Sequence, residues 1–91
     1  MDIGKAIQTL RKAAGISQKE LAEKAGISAN ALCAIEKDKS FPSKQTVRDI
    51  CQALNIPAGL LLFSAITEED IPEEKRPIFE ALKEPILKLF R

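Results

Sequence analysis

The sequence predicts an all-α protein: five short helices packed as one domain, followed by an additional C-terminal amphipathic helix. Three observations carry this. Apolar residues recur at helical spacing along nearly the whole chain, and no segment alternates with the period of two that a strand requires. Asp2, Ser17, Ser28 and Ser43 stand where helix-capping side chains belong, just ahead of those apolar stretches. Ninety-one residues, 45% hydrophobic and 30% charged, have the composition of a globular chain. A chain of this size buries roughly 60–65% of its unfolded surface, enough for one modest core without staples.

The first helix shows the stripe Ile3, Ala6, Ile7, Leu10, Ala14, opened by Asp2 and closed by Gly15. Ser17-x-x-Glu20 reads as a capping box for the second, with Ile16 and Leu21 as its hydrophobic staple. Gly26 ends that helix after little more than two turns. Ser28 caps the third, stapled by Ile27 and Leu32 and expected to run to about Lys37. Pro42 cannot continue a helix and disfavours one at Phe41, so residues 37–42 form a break. Ser43 then caps a fourth helix with Val47, Ile50, Cys51 and Leu54 inward. Asn55-Ile-Pro57 turns the chain into a fifth, through about Ser64.

Residues 1–64 are therefore assigned to the domain and 65–91 to an amphipathic extension. In the extension Thr67-Glu-Glu-Asp70 and Asp70-x-x-Glu73 both have the look of caps. Ile78, Phe79, Leu82, Ile86, Leu89 and Phe90 then recur at helical spacing, predicting a helix from about Pro77. Pro85 is expected to kink it near Ala81–Pro85.

Composition removes most activities. There is no His, hence neither the commonest acid–base group nor the commonest metal ligand. Cys33 and Cys51 have no zinc-ligand spacing, and so few cysteines suit a reducing compartment. No constellation supports an enzyme, a metal, a cofactor or a small-molecule ligand. Met1-Asp2 does not begin a signal peptide, and the apolar stretch Ile56–Ile66 is too short to span a bilayer. A cytoplasmic protein without a membrane partner is expected. Residues 1–64 carry nine bases against six acids and residues 65–91 five against seven, so only the first part suits a polyanion.

The informative window is 18–37, two helices joined by a turn too short to let them lie antiparallel. Ala22 leaves room where they cross, and Gly26 supplies the positive φ of the turn. Leu21, Ala25, Ile27, Leu32 and Ile35 point inward. This is helix-turn-helix geometry, whose second helix fits a DNA major groove about 12 Å wide. Gln18-Lys-Glu-Leu-Ala22, Gly26-Ile-Ser28, Leu32-x-x-Ile35-Glu36 and Phe41-Pro42-Ser43 together resemble the lambda-repressor-like (Cro/Xre-type) proteins over residues 3 to about 63. The resemblance implies a five-helix DNA-binding fold with residues 28–37 as the reading helix. It also implies an ion pair between Arg11 and Glu36, with direct phosphate contact by Arg11 the competing role, and a backbone-clamping Gln18.

With Leu32 and Ile35 inward, Ala29, Asn30, Cys33 and Ala34 are the candidates for base readout. Asn30 leads, because a carboxamide bonds adenine N6 and N7 together; an ordinary early-helix polar role competes. Gln18, Ser28, Lys37, Lys39, Ser40 and Ser43 are the candidates for phosphate, with helix capping the first role of both serines and solvation the competing role of the lysines. Cys33 also raises a redox switch, which the lack of an activating neighbour argues against. Cys51 belongs to the core. Asp38 occupies a turn position that is often Gly in the family, and Asp tolerates the left-handed region.

One such domain covers one half-site, so a homodimer on a pseudo-palindrome is expected. Leu60 is more apolar than a short surface helix needs, and Leu60, Phe63, Ile78, Phe79, Leu82 and Ile86 are the candidate interface, packing within one chain being the alternative. The function expected is sequence-specific duplex-DNA binding by a transcriptional regulator, a repressor first. An antitoxin using the same domain, or a protein-interaction adaptor using the extension, are the alternatives.

Overall fold

The computed structural model describes residues 1–89, so Phe90 of the predicted stripe lies outside the described residues. The described residues are helical without strands: α1 (Ile3–Ala13), α2 (Gln18–Ala25), α3 (Ala29–Glu36), α4 (Lys44–Leu54) and α5 (Ala58–Ala65), then two 3-10 turns (Glu68–Asp70, Glu73–Lys75) and α6 (Arg76–Lys88). Helices of eight to thirteen residues are marginal in isolation, so tertiary packing has to hold them. The core does so symmetrically. The largest side chains with essentially no exposure are Ile7, Leu21, Leu32, Ile50 and Leu61, one from each of α1 to α5.

Local chemistry sets the helix ends. Asp2 Oδ1 accepts from the Lys5 amide at 3.0 Å, Ser28 Oγ from Ala31 at 3.0 Å and Ser43 Oγ from Thr46 at 3.1 Å. Ser17 Oγ accepts from the Glu20 amide at 3.1 Å, but the box is not reciprocal: the Glu20 carboxylate meets the Ser17 hydroxyl at 3.5 Å instead of the Ser17 amide. The first four helices each end at a left-handed residue, Gly15, Gly26, Asp38 and Asn55. The amide after it bonds back across the last turn, as Ile27 N to Ala22 O (3.0 Å), Lys39 N to Ala34 O (2.9 Å) and Ile56 N to Cys51 O (3.0 Å) show.

Gly4 lets two of these helices touch. A methyl carbon at this position would overlap the Ile35 carbonyl and crowd that of Glu36, so α1 crosses directly over the carboxyl end of α3.

Of the two caps expected in the extension, the Thr67–Asp70 box forms and the Asp70–Glu73 one does not. Asp70 does not cap toward Glu73; its Oδ2 accepts from the Thr67 amide at 2.8 Å and from the Thr67 hydroxyl at 3.1 Å. It also faces the amino-terminal ammonium at 2.7 Å. That ammonium, then the Thr67 bonds, hold the Asp70 carboxyl below its ordinary range. The final helix runs from Arg76 to Lys88 and carries Pro85 inside it. Arg76 Nε anchors its start on the carbonyls of Glu68 (2.9 Å) and Ile71 (3.2 Å). Phe79 is the buried residue of α6, its ring 5.9 Å from that of Phe63 and overlain by Lys83. Beside this contact a groove of about 1010 Å³ stays open between α1, α5 and α6, lined in part by Leu10, Leu54, Leu60 and Leu87.

Candidate nucleic-acid interface

The candidate interface is built on α2 and α3. Three residues, Gly26-Ile27-Ser28, join them, and Gly26 at φ 72° makes the reversal possible. Leu21, Ala22 and Ala25 fix α2 to the core, and Leu32 and Ile35 fix α3. What remains outward on α3 is its amino-terminal half. Ser28, Ala29 and Asn30 are exposed, whereas Cys33 and Ala34 are half-buried. Ala31, absent from the candidates, is exposed as well. The helix ends one residue before the expected Lys37, which is its exposed carboxyl-terminal cap.

The carboxyl end of α3 is tied down by a polar cluster. Arg11 and Glu36 are each 8% exposed. Arg11 Nε reaches Glu36 Oε2 at 2.8 Å and its Nη2 reaches Oε1 at 3.0 Å, a two-pronged contact between residues 25 positions apart. Arg11 Nη1 donates to the Ile16 carbonyl at 3.0 Å. Hydrogen bonding to Glu36 holds the guanidinium pKa above its ordinary value despite partial desolvation. Arg11 is thus committed to the scaffold and not presented to a phosphate.

Gln18 joins the same carboxylate. Its Nε2 donates to Glu36 Oε1 at 3.0 Å, which links the amino end of α2 to the last residue of α3. A carboxylate accepts only, so the amide nitrogen, not the oxygen, faces Glu36. One N–H of Gln18 is left over for another acceptor. No sequence spacing signals this bond; it exists because the helix-turn-helix crossing brings residues 18 and 36 together.

The remaining phosphate candidates divide by the proton each has to give. Lys37, Lys39 and Ser40 are exposed on the stretch after α3. The Ser28 hydroxyl accepts its capping bond and keeps its own proton for a donor role. The Ser43 hydroxyl already donates to Thr46 Oγ1 at 2.9 Å, so it must rotate before it can bond a phosphate. Cys51 is buried, and burial pushes its thiol pKa up.

The interface candidates of α5 and α6 are not equivalent. Leu60 and Phe79 are buried by their own chain: Leu60 of α5 lines the groove at 5% exposure, and Phe79 packs on Phe63. Phe63 and Ile86 are half-buried. Ile78 and Leu82 stand open at 62% and 52% exposure.

A pair of eight-residue helices with a left-handed glycine between them, the first clamped to the end of the second, is a helix-turn-helix unit. The family described as "Helix-turn-helix domain" matches residues 4–64, and the chain belongs to it. It is 31% identical over 84 residues to the "Immunity repressor protein" of Bacillus phage phi105, covering 92% of this chain and 56% of that protein. It is 33% identical over 85 residues to a Methanocaldococcus jannaschii protein named as an HTH-type transcriptional regulatory protein, covering 91% of this chain and 27% of that one. The chain therefore spans about half the length of the first relative and about a quarter of the second. Among the described residues no helix is long and apolar enough to cross a membrane.

Proposed function

We propose that the protein binds duplex DNA sequence-specifically and regulates transcription, in the first instance as a repressor. The observation that carries this is the disposition of α3: its inward residues are locked in the core while Ser28, Ala29 and Asn30 stand free at its amino end. A reading helix of this fold presents base-contacting residues there. Asn30 would bond adenine, Ala29 and Ala34 would meet a thymine methyl, and Cys33 would lie beside them. Gln18, Ser28, Lys37, Lys39, Ser40 and Ser43 would hold phosphates on either side and set the register. With no Arg on α3 to pair with guanine, part of the specificity would come from DNA shape. The similarity to a phage immunity repressor supports the repressor role.

Two copies would occupy adjacent half-sites. The seam for a second copy would be the outer face of α6 at Ile78 and Leu82, with Leu62 of α5, since these are the large apolar side chains left open there. Leu60 and Phe79 would act behind that seam by holding α5 and α6 in place.

Selection from a random duplex library at about 0.1–0.15 M salt tests the proposal, because screening there already suppresses binding by charge alone. Enrichment of an inverted repeat with half-site centres about 10 base pairs apart is the expected result. A library returned unenriched, with binding that fades as salt rises, would overturn it.

A further inference from the structure

The turn between α3 and α4 holds an aromatic ring that the protein itself does not use. Phe41 is 75% exposed, whereas the next residue, Pro42, is buried. The other open large apolar side chains belong to Met1 or to α5, α6 and its carboxyl end, so Phe41 stands apart from any shared patch there. Its exposure is built into the backbone. On one side Asp38 sits at φ 61° and the Asp38 and Lys39 amides bond back to the carbonyls of Ile35 and Ala34. On the other, Ser43 caps α4 through both Thr46 bonds. Pro42 restricts Phe41 to extended conformations. A turn pinned at both ends and through its proline holds the ring out in water.

The surroundings of the ring say what it can meet. Lys37, Lys39 and Lys44, all exposed, lie within four residues of it in the chain against one exposed acid, Asp38, and Ser40 precedes it directly. A cationic stretch with one apolar face in its middle complements a surface on which anions alternate with apolar patches. The edge of a DNA duplex is such a surface, with C–H faces of deoxyribose between successive phosphates. The turn also follows directly on the carboxyl end of α3, which places it at the rim of the groove that α3 would enter. We infer that Phe41 docks on the deoxyribose backbone at the edge of the half-site, its ring on a sugar while the neighbouring lysines hold the flanking phosphates. The inference rests on the DNA-binding reading above and adds a contact of a different kind. It is apolar and uncharged, so it strengthens binding to any sequence and releases no counterion.

The test is the salt dependence of operator affinity. Kd is measured with the full chain and the duplex recovered by selection, from about 0.05 to about 0.3 M salt. Phe41→Ala is expected to weaken binding about tenfold at every salt concentration, giving a line parallel to that of the unmodified protein. Phe41→Leu, which keeps an apolar surface, recovers part of the loss. Lys39→Ala, in contrast, lowers the slope by about 0.9. The Tm of Phe41→Ala stays that of the parent, because the ring packs on little of the fold. Affinity of Phe41→Ala within twofold of the parent, or a slope that falls as in Lys39→Ala, overturns the inference and leaves DNA binding standing. A parent chain that prefers no duplex removes the DNA-binding reading and this inference with it.

Discussion

The Arg11–Glu36 pair is the feature whose removal should tell most about how the reading helix is held. Both residues are 8% exposed, and the Glu36 carboxylate accepts from Arg11 twice and from Gln18 once. Glu36→Leu leaves a nearly buried guanidinium with the Ile16 carbonyl as its remaining partner. Breaking one side of such a pair costs about 3–5 kcal/mol, because an uncompensated charge stays out of water. A 91-residue domain totals only roughly 5–14 kcal/mol, so the single variant loses a large share of its stability. Its Tm falls by roughly 4–8 °C per kcal/mol. Arg11→Met strands the carboxylate in the same way, with Gln18 alone to meet it. Replacing both residues at once strands neither charge, and the double variant should lie within about 1–2 kcal/mol of the parent. Urea unfolding of the four proteins, followed by far-ultraviolet circular dichroism, gives the coupling energy directly. Single losses below about 1 kcal/mol, or a double loss equal to the sum of the singles, would refute the claim that burial of a matched pair fixes α3 to α1.

Three other substitutions or measurements follow from the same contacts. Gly4→Ala drives a methyl into the Ile35 carbonyl and should destabilise the domain by about 1–3 kcal/mol in a thermal melt; an unchanged Tm would mean α1 and α3 are not in close contact. Asp38→Gly relieves a side chain from the left-handed region at φ 61°, and a gain of about 0.5–1 kcal/mol is expected in the same assay, a loss being the contrary result. With Ellman's reagent near pH 8, half-buried Cys33 should react well ahead of Cys51, whose burial raises its thiol pKa and blocks access. Equal rates for the two thiols would show that the core opens faster than the surface cysteine reacts.

Most of the helical layout was legible because its signals are local. Asp2, Ser17, Ser28 and Ser43 announce helix starts by chemistry that acts over three residues, and each accepts the amide expected of it. Gly26 announces the turn, and the stripes that hold Ile7, Leu21, Leu32 and Ile50 announce the inward faces; these four, with Leu61 of α5, which no pattern singled out, are the large side chains with essentially no exposure. The Arg11–Glu36 pair was reached differently, through family resemblance, since nothing in a spacing of 25 residues points one side chain at the other.

What local pattern does not encode is which surfaces meet. Gly4 reads as a weak helix residue until α3 is laid across it, and nothing local to Gln18 announces that one of its amide N–H groups meets Glu36. Thr67 and Asp70 form the box their spacing announces, but the amino-terminal ammonium that also meets Asp70 comes from 69 residues away. Leu60 and Phe79 look like surface in excess of need, yet α5 and α6 bury them within one chain and leave Ile78 and Leu82 outside. The physical reason is common to all four. Helix periodicity and capping are decided by bonds three or four residues long, whereas these outcomes depend on the relative placement of whole helices, which only the packed core determines.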